Sequence, residues 1–215
     1  MKNRYGQLPK PLGEYIIIPT EMMFYQDMPI KLKRFSEIVF EDRLKIFDEL
    51  ITTITDNFII TFGFEKYINS YVYISAKYLF QNKQEPFNRP GWPCDGFMSD
   101  DITDIWSDEN PTVFNLSQFA LSQDDTKSIQ EMGEQAEEKY NFTYPKNTLL
   151  RLDQFNVHKV AEIEHPGMRL FLKVSFSSGK FDLKGNTHNY LLDYSWELKD
   201  RSCDRNIPQS LKKNN

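Results

Sequence analysis

The side chains whose setting points most directly to acid–base or metal chemistry fall in two short stretches. The chain has three histidines, His158, His165 and His188, and two cysteines, Cys94 and Cys203. The stretch "RPGWPCDGF" sets Cys94 and Asp95 behind two prolines and a glycine, just ahead of an apolar segment. The second, "LLRLDQFNVHKV", alternates apolar and polar residues, so a strand pleat fixes where His158 points. Asn156 and Val160 share its face, and Val157 and Lys159 take the opposite one. Arg169 follows in "GMRLFLKVSFS". An arginine inside a β-structure must satisfy its charge, and a bidentate carboxylate does so best. His165, before Pro166 at a turn, and His188, in the polar "GNTHNY", read as exposed residues.

Other chemistries lack their signatures. There is no Gly-rich phosphate loop, no Gly-x-Ser-x-Gly turn and no Cys-x-x-Cys knuckle. A Cys94–His158 thiol pair has no helix N-terminus near Cys94 to lower the thiol pKa. Asp95, Asp100, Asp101, Asp104, Asp108 and Glu109 form an acidic strip around Trp106. Its simplest reading is a solvated charged loop, and its spacing does not match a Ca²⁺ loop.

In order and spacing, "WPCDGF", "PTVF", "NTLLRLDQFNVHKV" and "GMRLFLKVSFS" together resemble the iron(II)/2-oxoglutarate-dependent oxygenase superfamily. The resemblance covers about residues 70–178. It implies a double-stranded β-helix (jelly roll), with Asp95 and His158 as Fe(II) ligands and Arg169 holding the distal carboxylate of 2-oxoglutarate. Thr112 matches a hydroxyl residue that assists cosubstrate binding in one branch. Two positions depart from the pattern: Pro93 stands where the first histidine ligand belongs, and Phe171 where a serine is usual. Proline offers no ligand atom, so the two-imidazole, one-carboxylate triad is incomplete unless His188 or Cys94 completes it. Two readings follow. One is an Fe(II)/2-oxoglutarate-dependent dioxygenase that hydroxylates or demethylates a substrate from an unusual site. The other is a non-catalytic binding or inhibitor protein on the same fold, engaging a small carboxylate or a protein partner.

The elements that must position these residues are mostly strands. With 215 residues, 40% hydrophobic and 14% aromatic, the chain has enough apolar material for one substantial core. A net charge of −5 argues against general nucleic-acid binding. Two cysteines are too few for a disulfide framework, the opening "MKNRYGQLPKPLGEY" lacks the apolar core expected of a signal peptide, and no run approaches the about 18 apolar residues of a membrane span. A reduced, cytoplasmic protein is expected, and the glycosylation sequons at Asn115 and Asn141 are then chance matches. A polar arm (1–14), a single domain (15–200) and a polar tail (201–215) are expected. Apolar spacing predicts helices near 36–56 and 125–140, the second opened by a capping box at Ser122 and Asp125. Strands are expected at "EYIII", "FIITFGF", "SYVYISAKYLF", "DITDIWS", "TVFNLSQF", "TLLRLDQF", "VHKVAEI", "MRLFLKVSFS" and "YLLDYSWEL". "EHPGM" reads as a hairpin turn joining the strands of His158 and Arg169. The fold class is mainly β with flanking helices (α+β).

Overall fold

The computed structural model describes residues 4–86 and 91–200, so the expected tail at 201–215 lies outside the described residues. The fold is mainly β with antiparallel strands and few helices. Among the described residues, nine strands form two sheets. The larger has the order β1-β7-β4-β9-β3-β2, from β1 (Lys10–Glu14), β2 (Met23–Lys31), β3 (Tyr71–Gln81), β4 (Ile102–Ser107), β7 (Thr148–Leu152) and β9 (Gly167–Ser177). The smaller runs β6-β5-β8, from β5 (Val113–Asn115), β6 (Asn141–Thr143) and β8 (His158–Lys159).

Alternation gives the large sheet two different faces. Leu170, Leu172, Val174 and Phe176 of β9 join Val72, Ile74 and Ala76 of β3 in the principal core. Helix α1 (Asp48–Phe62) covers that face through Leu50, Ile51, Ile54 and Phe58, whose spacing of three and four makes one apolar stripe. Each such buried side chain contributes roughly 1.5–3 kcal/mol. Phe58 stacks on Phe176 at 3.9 Å between centroids. The opposite face meets the small sheet through a lesser core of Ile105, Leu150, Leu152 and Phe114, with Tyr144 and Phe171 against it.

Several expectations need correction. Residues 36–56 are not one helix: a 3-10 turn at Asp42–Phe47 leads into α1, which runs on through most of "FIITFGF" before Gly63, at φ +89°, ends it. A short helix α2 (Phe64–Ile68) follows. That β-branched run is helical because Phe58 is needed on the stripe facing the sheet. The second helix, α3, spans Asp125–Gln135 and is followed by a 3-10 turn at Glu138–Tyr140. Its N-cap is Asp124, accepting from the amides of Thr126 and Lys127, while Ser122 binds Glu131 instead of forming a capping box. The expected N-terminal arm is tied down, since residues 10–14 are β1 and the amides of Gly6 and Gln7 reach the Phe155 carbonyl.

"EYIII" carries no ladder beyond Tyr15, and "YLLDYSWEL" forms no strand. The segment around it covers the sheet edge at β2. Thr187 exchanges two hydrogen bonds with Gln26, and the Asn189 amide donates to the carbonyls of Pro29 and Val39. β2 itself was not expected as a strand. Its register shifts around Asp27, at φ +43°, and around Pro29, irregularities that an edge strand tolerates.

Candidate functional site

The loop carrying Pro93, Cys94 and Asp95 runs beside β8, because the Pro93 carbonyl accepts the His158 amide at 2.9 Å. Cys94 is buried in an apolar cluster with Phe119, Met132 and Val157. Asp95 is half-buried and precedes a tight turn at Gly96. Gly96 has φ +65°, and a Cβ there would lie 2.7 Å from Ser99 Oγ and 3.0 Å from Asp101 Cβ, so only glycine fits. The turn closes as Gly96 accepts from both the amide and the hydroxyl of Ser99, each at 2.8 Å. Asp101 follows, its carboxyl pushed up by burial and, more weakly, by neighbouring carboxylates that include Asp95.

His158 is half-buried, with Nδ1 2.9 Å from the Asn156 carbonyl and its ring 6.0 Å from Phe114. With the proton on Nδ1, the Nε2 lone pair is left for a ligand. Asn156 is itself pinned, donating to Gln7 and accepting from the Asp153 amide. The expected alternation holds at Val157, which packs on Cys94, and at Lys159, whose ammonium lies 4.8 Å from the Trp92 ring centroid.

The expected hairpin between His158 and Arg169 does not form. β8 pairs with β5 in the small sheet, whereas β9 pairs with β3 and β4 in the large one, so residues 160–166 cross between sheets. The two residues are linked instead through the lesser core. Phe114 is the register partner of His158, and Phe171 lies 4.9 Å beneath the Arg169 guanidinium. Arg169 is buried, and its Nε donates to the Glu109 carbonyl at 2.8 Å. Burial pushes its pKa down to about 10, while the Asp108 carboxylate pulls the other way. Asp108 in turn is raised by burial and accepts the Leu170 amide at 2.7 Å. Thr112 lines a cleft with Ile105, Trp106, Leu150 and Phe171 that holds about 10 Å³, the space of roughly one water.

Among the described residues, no three His, Cys, Asp or Glu side chains come together to hold a metal ion. His188 is not a third ligand, because its ring packs against Tyr190 and Tyr194 at 4.7 and 4.6 Å in the segment over β2. The donor set beside Pro93 therefore does not fit the Fe(II) centre that the family resemblance implies. No protein-family model matches the chain, and no curated protein matches it.

The acidic strip is not one solvated loop. Asp104 is fully buried and bound at two points by Arg151, with Nε–Oδ1 at 2.9 Å and Nη2–Oδ2 at 3.1 Å. Asp100 pairs with Lys66, Glu109 with Lys146, and Trp106 is buried with its Nε1 donating to the carbonyls of Tyr15 and Asn147. A second charged group went unread in the sequence. Asp27 accepts from Gln26 and Ser75 and meets Lys173 at 3.3 Å. Lys173 stands out only as a charge inside an apolar strand at the parity of Arg169. Arg151 in "LLRL" and Asp104 in "TDIW" carried the same signal.

Proposed function

We propose that this chain is a non-catalytic binding protein on a double-stranded β-helix like that of the 2-oxoglutarate oxygenases. Support for the finer fold comes from chain connectivity. With the loop at 91–95 counted as a strand beside β8, eight segments pass between the sheets in the sequence β3, loop, β4, β5, β6, β7, β8, β9. β3, β4, β7 and β9 lie in one sheet, and the loop, β5, β6 and β8 in the other. Such crossing of an antiparallel chain between two facing sheets is the arrangement of a jelly roll.

The observation that carries the functional reading is Pro93. Its carbonyl is spent on the His158 amide, and among the described residues neither Asp95 nor His158 belongs to a group of three side chains that could hold a metal ion. What remains is a buried cation, Arg169, with a hydrogen bond to one backbone carbonyl and a carboxylate nearby. That group suits a carboxylate of a small molecule or of a protein partner better than it suits redox chemistry.

The test is anaerobic calorimetry with Fe(II), 2-oxoglutarate and both together. No saturable Fe(II) binding is expected in the wild type, and Pro93→His is expected to raise metal affinity by about tenfold or more as a full triad forms. Tight Fe(II) binding by the wild type, or a visible charge-transfer band with 2-oxoglutarate, would return the chain to the oxygenase reading.

A further inference from the structure

The segment after β1 keeps the character of a strand without the pairing of one. Burial alternates through Tyr15, Ile16, Ile17 and Ile18, with Ile16 84% and Ile18 79% exposed. Tyr15 makes the last ladder bond, to the Asn147 carbonyl, because the chain before β7 turns away at Asn147, where φ is +67°. Among the described residues, the backbone of Ile16, Ile17 and Ile18 forms no hydrogen bond. The neighbouring edge of β1 is blunted by Pro11, Gly13 and a register shift between them. Residues 16–18 themselves carry no proline, glycine or charge, and Pro19 ends the run. Beside them lies a groove of about 410 Å³ walled by Ile46 and Leu50, with the carboxylates of Glu14 and Glu49 at its rim. Neither carboxylate is in an ion pair among the described residues.

We propose that Ile16–Ile18 and this groove form a docking edge for a segment of a partner protein that alternates β-branched and basic residues and adds as a strand. Three features decide the chemistry of the occupant. Unpaired peptide groups on a β-branched run offer main-chain hydrogen bonds, the groove takes alternate apolar side chains, and the acidic rim selects lysine or arginine at the others. A second copy of this chain is disfavoured because it would bring two acidic rims together. The inference does not rest on Arg169.

The experiment is fluorescence anisotropy with a fluorescein-labelled hexapeptide of alternating lysine and valine, on protein first shown to be monomeric by sedimentation. Saturable binding is expected. It should weaken about tenfold or more when alternate peptide amides are N-methylated, when glutamate replaces lysine in the probe, or in Ile16→Asp, Ile18→Asp and Glu49→Lys. Arg169→Met should leave it unchanged. Absence of saturable binding, equal affinity for the N-methylated peptide, or a dimer broken by Ile16→Asp would each overturn the proposal. The three variants sit at exposed positions, so they should keep the fold, and matching circular dichroism checks this.

Discussion

On its helix-covered face, the six-stranded sheet holds an apolar core of more than a dozen side chains and one charged pair, Asp104–Arg151. On the face toward the small sheet, the same strands present Arg169, Lys173, Ser175 and Ser177 from β9, with Thr103 bonded to Ser175 and Ser75 bonded to Asp27. Both faces bury a guanidinium, and they treat it differently. Arg151 is matched by a bidentate carboxylate and donates to the Ile54 carbonyl at the helix. Arg169 has its Nε on one backbone carbonyl, with Asp108 close enough to act on it but giving its own oxygen to the Leu170 amide. The first arrangement welds helix to sheet. The second holds a cation by one backbone carbonyl with a carboxylate nearby, the arrangement on which the proposed anion binding rests.

The contrast breaks most visibly at the matched pair. Burial raises the Asp104 carboxyl to about 6 despite the pull of Arg151, so the pair carries a large desolvation cost that each partner offsets for the other. Asp104→Ala leaves Arg151 buried and unpaired, and should lower the unfolding free energy by about 3–5 kcal/mol in urea titration. Replacing both, Asp104→Leu with Arg151→Met, should recover most of that loss. A single variant that loses under about 1 kcal/mol would mean that water reaches the pair and that the two faces differ less than their burial indicates.

How much of this was legible in the sequence follows the same division. β3, β4, β7 and β9 were readable because their alternation is the direct imprint of two unlike faces. Phe58–Phe62 was not, since a β-branched apolar run reads alike for a strand and for a buried helix, and only the position of Phe176 decides. β2 was hidden by Asp27 and Pro29, residues that make poor strand signals yet sit at a bulged edge. Arg169 was legible as a buried cation inside an apolar strand. Its relation to His158 was misread because turn residues at 164–167 indicate a reversal without saying whether the chain stays in its sheet.

A smaller effect should come from the charged cluster on the inner face. Burial pushes the Asp27 carboxyl up, but Lys173, Gln26 and Ser75 outweigh it and hold its pKa at about 2, against 3.8 for the free group. The folded value lies below the unfolded one, so the ionised form stabilises the fold fully above about pH 4 and that contribution disappears as pH falls toward about 2. The shift corresponds to about 2 kcal/mol. Urea titrations of wild type and Asp27→Asn from pH 7 to pH 2 should therefore show a gap that closes across that window. A gap that is constant with pH would assign the effect to packing at the bulge rather than to the charge.

The smallest stability change is expected where the comparison predicts function. Arg169→Met keeps an unbranched apolar stem, removes the guanidinium with its hydrogen bond to the Glu109 carbonyl, and so relieves the site of a buried cation's desolvation. These effects oppose one another, so the unfolding free energy should change by no more than about 1 kcal/mol in either direction. Without the guanidinium, Asp108 loses a cation that lowers its pKa, so its carboxyl should titrate higher still, which carboxyl NMR would register. A loss of about 3 kcal/mol or more would place Arg169 in the same class as Arg151, a structural weld with nothing left to offer an anion. A near-neutral change together with loss of carboxylate binding would separate the two arginines by role, because only a group that the fold does not need can be held there for a ligand.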